Sequence, residues 1–92
     1  MELRHLRYFL AVADEGRVTR AAERLHISQP PLSLQIKELE RLVGVPLFER
    51  SAQGMRLTPA GQAALQEFRA LLAELDAAME RVAHTQAAPR RR

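Results

Sequence analysis

The chain has 92 residues, no cysteine, and 14 Lys and Arg against 11 Asp and Glu, for a formal net charge of +3 at pH 7. That length supports one domain around one modest core, and the absence of thiols excludes disulfides, thiolate metal sites and cysteine nucleophiles. No apolar run approaches the roughly 18 residues needed to span a bilayer, and Met1 is followed by charged residues rather than an apolar leader, so a cytoplasmic chain is expected.

Leu3, Leu6, Phe9 or Leu10, and Ala13 recur at helical spacing and predict a first helix over residues 2–14, ended by Gly16. A short second helix follows over about 18–25, with Val18, Ala21, Ala22 and Leu25 on one side, and His26-Ile27-Ser28 breaks it. Ser28 is placed to cap a third helix with its hydroxyl. Pro30 and Pro31 fall in the first turn, where their missing N–H groups cost nothing. Leu32, Ile36, Leu39 and Val43 form the expected buried stripe, and Gly44 the stop. Residues 45–57 change character. Leu47-Phe48-Glu49-Arg50, the turn Ser51-Ala52-Gln53-Gly54 and Met55-Arg56-Leu57 read as a small β-hairpin. Thr58-Pro59 opens a fourth, alanine-rich helix that continues to about His84. Residues 87–92 are expected to be a disordered basic tail.

A short helix, a tight break and a longer helix over about 18–37 fit a helix-turn-helix. Small Ala21 and Ala22 let two helices approach, while Leu25, Ile27, Leu32 and Ile36 supply a shared core. The opposite face of the third helix is then free to enter a major groove, about 12 Å wide. On that face lie Pro30, Ser33, Leu34, Lys37 and Arg41. Gln29 sits at the helix start, where base edges are read. Gln29 suits adenine, Ser33 several bases, and Pro30, Pro31 and Leu34 thymine methyls. Lys37 suits phosphate, as do Thr19 and Arg20 at the start of the second helix. In the hairpin, Arg50, Ser51, Gln53 and Arg56 stand where a wing would flank the groove. Charge agrees with this placement. The three terminal arginines account for the whole net charge, and within the rest one section is basic and another acidic. Residues 17–58 carry seven basic against four acidic side chains, and residues 59–89 two against four. A contact face for an anion is therefore local.

The chain resembles the DNA-binding domain of LysR-type transcriptional regulators. The likeness runs from Leu3 to about Ala64. It rests on Leu6-Arg7-Tyr8-Phe9 with Ala11-Val12-Ala13, Thr19-Arg20-Ala21-Ala22-Glu23-Arg24-Leu25, Ser28-Gln29-Pro30 with Leu32-Ser33, and Gln35-Ile36 with Leu39-Glu40. Gly44-Val45-Pro46-Leu47-Phe48-Glu49-Arg50, Gly54 and Leu57-Thr58-Pro59-Ala60-Gly61 complete it. The resemblance implies a mainly α winged helix-turn-helix over residues 1–58, a three-helix core with a β-hairpin wing, followed by a linker and dimerisation helix over 59–86. It implies a bacterial regulator that binds an interrupted palindrome in double-stranded DNA as a homodimer, with a tetramer open to the full-length protein. Gln29, Pro30, Pro31 and Ser33 would then approach bases, and Ser28 and Leu34 complete the candidate DNA-binding residues of the third helix. Thr19, Arg20, Lys37, Arg50, Ser51, Gln53 and Arg56 would approach backbone or minor groove. Two positions depart from the family pattern: Leu34 stands where arginine is frequent, and Arg17 replaces a small cap. The family's sensor domain has no counterpart in the 92 residues, so a fragment without a small-molecule effector of its own is expected.

In the fourth helix Leu65, Phe68, Leu72, Leu75, Met79 and Val82 are spaced 3, 4, 3, 4 and 3, which is an a/d heptad seam. A stripe on so long a helix needs a partner, which the resemblance implies is the same helix of a second copy, antiparallel; the competing expectation is that the stripe folds back on the first helix. Gly61 and Ala64 would allow close packing near the junction. His5, His26 and His84 lie far apart, so neither a metal nor another cofactor is expected. Ser28 and Ser33 lack an acid–base arrangement, Glu38 and Glu40 point to different sides of a helix, and there is no Gly-rich phosphate loop. An enzyme is not expected. The alternative to DNA reading is a helical dimerisation or scaffold module whose helix-turn-helix is only structural.

Overall fold

The computed structural model describes residues 1–86, so the expectation for residues 87–92 lies outside the described residues. The element order is α1 (Leu3–Glu15), α2 (Val18–Leu25), α3 (Gln29–Val43), β1 (Phe48–Ser51), β2 (Gly54–Leu57) and α4 (Pro59–His84). Each helix starts and stops within a residue or so of the sequence expectation, because the breakers act as their chemistry dictates. Gly16 and Gly44 close α1 and α3 in the left-handed conformation, which glycine adopts without steric cost. His26 closes α2 in the same conformation at φ 60°, and its backbone N–H reaches the carbonyls of Ala22 and Glu23. β1 and β2 pair antiparallel with Phe48 opposite Leu57 and Ser51 opposite Gly54.

Two caps behave differently. Thr58 accepts a hydrogen bond from Gly61 N at 3.0 Å, as a threonine cap should. Ser28 occupies the cap position of α3 but makes no capping hydrogen bond with its side chain, contrary to expectation. A capping oxygen needs an N–H at the second or third helical position, and those positions are Pro30 and Pro31. The same prolines that mark the helix start leave the Ser28 hydroxyl without a backbone donor.

The core gathers Leu6, Phe9 and Val12 of α1, Val18, Ala21 and Ala22 of α2, and Leu32, Ile36 and Leu39 of α3, with Leu47 and Phe48 at the root of the hairpin. Phe9 is its centre. Its ring lies 5.2 Å from Phe48 and 5.6 Å from Phe68, the latter edge-to-face, the favoured geometry for aromatic pairs. His5 is the one buried polar side chain among the described residues; its Nδ1 lies 3.0 Å from Glu2 N and accepts that N–H across the first turn. Val43 does not continue the α3 stripe: it is 44% exposed, because α3 runs out beyond the elements that cover Leu39. Leu3 is likewise on the surface rather than in the core.

The α4 seam divides. Leu65, Phe68, Leu72 and Leu75 pack against the chain's own core, and Leu72 is fully part of it. Met79 and Val82 are 62% and 70% exposed, and Leu71, outside the heptad pattern, is 54% exposed. The seam is therefore not one continuous surface for a partner, and Leu72 belongs to the interior of its own protomer. The reason is length. A 26-residue helix is about 39 Å long at 1.5 Å per residue, and the domain beneath it covers only its first half. Ion pairs add to this packing: Asp14 of α1 binds both Arg69 of α4 and, at 3.5 Å, Arg24 of α2. No helix among the described residues is long and apolar enough to cross a membrane.

Candidate nucleic-acid interface

The hairpin is held against the helices at three points, and these set the geometry of the exposed face. Met55 N donates to Gly16 O at 2.9 Å, which pins β2 to the turn between α1 and α2. Gly54 makes that approach possible: at φ 124°, a Cβ there would stand 2.4 Å from Gly16 O. Glu40 of α3 accepts from two successive backbone amides, Leu47 N at 2.8 Å and Phe48 N at 3.1 Å, through one oxygen, Oε2. Finally, Thr58 N donates to Leu47 O at 3.0 Å, and the Thr58 hydroxyl donates to Pro46 O at 2.8 Å. Gly61 closes the junction, since a Cβ on it would fall 2.1 Å from Leu47 O.

Pinned in this way, the hairpin and the start of α2 frame two adjoining clefts along α3. One, of about 220 Å³, is lined by Val18, Ser33, Ile36, Lys37, Glu40, Phe48, Arg50 and Met55. The other, of similar size, is lined by Arg17, Val18, Thr19, Gln29, Arg50, Ser51, Gly54 and Met55. Sequence reasoning named Thr19, Gln29, Ser33, Lys37, Arg50 and Ser51 separately; the structure brings them together, with Arg50 common to both clefts. Arg20, Ser28, Pro30, Pro31, Leu34, Gln53 and Arg56 line neither cleft but are exposed, Leu34 at 66%. Ser51 is already engaged: its hydroxyl donates to Gly54 O and accepts from Gln53 N. It shapes the turn.

Charge on this face is unspent. Among the described residues Arg4, Arg24, Arg41, Arg69 and Arg81 are in ion pairs with carboxylates. Arg7 on α1 and Arg17, Arg20, Lys37, Arg50 and Arg56 are in none, and the last five lie on α2, α3, the hairpin or their connections. Arg41, placed by sequence on the outward side of α3, is held by Glu38 at 2.6 Å. That hydrogen bond lowers the Glu38 pKa and raises that of Arg41. Sequence reasoning missed Glu40 and Arg17 as parts of the site. By sequence Arg17 is a departure at a cap that brings a charge near DNA rather than a contact residue, and the backbone partners of Glu40 leave no mark in a sequence.

A three-helix core with a helix-turn-helix and a pinned β-hairpin defines a winged helix-turn-helix protein. Residues 3–62 match the bacterial regulatory helix-turn-helix proteins of the lysR family, and the chain belongs to that family. It is 61% identical over 72 residues to the HTH-type transcriptional regulator TfdS of Cupriavidus pinatubonensis, covering 78% of this chain and 24% of that one. It is 58% identical over 81 residues to BudR of Klebsiella aerogenes, covering 88% and 57%. The chain thus spans about a quarter to a half of the length of such relatives. Among solved structures, the BenM DBD in complex with benA site 1 DNA superposes with a TM-score of 0.90 at 42% identity, covering 96% of this chain and 99% of that one. The CbnR DBD–DNA complex gives 0.87 at 46% identity, covering 98% and 100%.

Proposed function

We propose that the chain is the DNA-reading module of a bacterial transcription regulator and binds double-stranded DNA sequence-specifically as a homodimer in the cytoplasm. The observation that carries this reading is the open outward side of α3, flanked by five cations without ion-pair partners. Cations left unpaired beside an exposed helix suit a polyanion, and Glu40, an acid in the same cleft, has its carboxylate turned onto two amides instead of toward solvent. The structural neighbours that contain DNA belong to the same family and support it.

In this reading Gln29, Ser33, Pro30, Pro31 and Leu34 approach base edges, with the uncapped Ser28 hydroxyl beside them. Thr19, Arg20, Lys37, Arg50, Gln53 and Arg56 meet phosphates or the minor groove, joined by Arg17. The homodimer surface is the outer half of α4. Leu71, Met79 and Val82 carry it, and the half-buried Leu75, which also meets the core, lines with Leu71 and Leu3 of α1 an apolar depression of about 350 Å³. Two copies joined there would present two recognition helices to an interrupted palindrome.

Selection of duplexes from a random pool by the 92-residue chain, followed by footprinting, tests the reading. One preferred two-fold sequence is expected, and Gln29→Ala with Ser33→Ala should abolish the preference while folding and dimerisation persist. Recovery of no preferred sequence overturns it in favour of a dimerising scaffold.

A further inference from the structure

We propose that Glu40 is a positioning residue for DNA reading: through its two amide hydrogen bonds it sets where the wing, and Arg50 on it, stands relative to α3. The proposal rests on the DNA-binding function inferred above and names a residue that touches no base or phosphate.

Glu40 governs both ends of the connection between recognition helix and wing. Its carbonyl accepts from Gly44 N at 2.8 Å and so closes α3. Its carboxylate takes Leu47 N, the amide just before the hairpin ladder, and Phe48 N, the amide of the ladder's first residue. Between these points lie Gly44, Val45 and Pro46, all exposed. Such an exposed segment has little burial to fix its path. A carboxylate binding two N–H groups makes charge-assisted bonds, about twice as strong as neutral ones. Thr58 holds the connection from the α4 side, through Pro46 O and Leu47 O, and Glu40 supplies the restraint from the recognition helix.

The restraint acts at the functional clefts. Glu40 shares a cleft with Lys37 and Arg50, yet pairs with neither cation. Had it turned to Lys37 one turn away, it would have neutralised a phosphate-binding charge and released the wing together. Facing the amides, it does the opposite on both counts. The hydrogen bonds also continue outward: Leu47 O accepts from Thr58 N, and the Thr58 hydroxyl caps α4 at Gly61.

A double-mutant cycle on the duplex recovered by selection tests this. Arg50→Ala is expected to weaken binding about tenfold in the wild-type background, as loss of a charged contact does, and to change it less than twofold once Glu40 is alanine. Glu40→Gln, which keeps an acceptor oxygen but no charge, should lie between, and it serves where Glu40→Ala folds poorly. Hydrogen exchange in free protein gives a readout independent of DNA: the Leu47 and Phe48 amides should exchange faster in both variants while the Leu39 amide does not. A folded Glu40 variant in which Arg50→Ala retains its full effect overturns the proposal, as do unchanged Leu47 and Phe48 exchange rates. If the wild-type chain selects no duplex, the DNA reading fails, and the positioning role fails with it even where the exchange rates respond.

Discussion

Gly44 and Gly61 do opposite jobs, and the difference is measurable. Gly44 sits at φ 97° with open space where a Cβ would be, so alanine there costs only the left-handed strain, about 1–2 kcal/mol. Gly61 has ordinary helical geometry, and alanine suits a helix better than glycine. Its Cβ would nevertheless meet the Leu47 carbonyl at 2.1 Å and Leu57 Cδ2 at 2.9 Å. A backbone oxygen cannot swing aside as a side chain does, so the wing root or α4 must shift. Overpacking of this kind costs about 1–3 kcal/mol, and the shift reaches the wing. Gly61→Ala should therefore lower the urea midpoint and also weaken DNA binding in conditions where the protein remains folded; Gly44→Ala should lower the midpoint alone. Equal loss of binding by both at equal folded fraction would show that the α4–wing contact has no bearing on the site. A sequence marks Gly61 as a place for close packing, but not that the neighbour is the chain's own wing.

At the level of whole elements, α4 carries the largest revision. Its heptad spacing is real, but spacing alone does not say whether a stripe meets its own domain or another copy. The first half meets its own domain: Phe68 packs edge-to-face on Phe9, and Leu72 is buried. Substituting Leu72 with glutamate therefore tests folding, since it places a charge in the core. The informative substitutions are Leu71→Glu and Met79→Glu, both at exposed apolar positions. Each should leave the thermal midpoint of the monomer within a few degrees, as surface changes of about 0.5 kcal/mol do. Each should also shift sedimentation from dimer to monomer. A dimer that survives both would place the partner surface elsewhere.

Legibility in the sequence follows the same physics. The helices of the core were readable because burial on one side imposes a 3.6-residue period, and their ends because Gly16, Gly44 and Thr58-Pro59 act locally. The outward residues of α3 followed from that period without further information. What stayed hidden depends on contacts distant in sequence or on exclusions between neighbours. Ser28 reads as a cap until Pro30 and Pro31 are counted as missing donors. Glu40 reads as an exposed acid because its partners are main-chain amides, which every residue type supplies. Val43 reads as core because the period continues past the point where the covering elements stop.

For the whole molecule, two-fold assembly and electrostatics should appear together in one measurement. Each copy offers five cations free of ion pairs around α3 and the wing, namely Arg17, Arg20, Lys37, Arg50 and Arg56. If each neutralises one phosphate, a bound dimer releases about ten counterions, and the logarithm of affinity falls with that of salt with a slope of about −9. A chain made monomeric by Met79→Glu engages one half-site and should show about half that slope. Its affinity should also fall, most at low salt, where the second copy contributes most. The structure places Met79 on the part of α4 that extends past the core, away from the clefts that hold these cations, so the substitution leaves the DNA face of each copy intact. A monomeric Met79→Glu chain with the full slope would mean that one copy alone makes every phosphate contact. The second copy would then have no electrostatic part in binding, and the paired recognition helices would lose their physical basis.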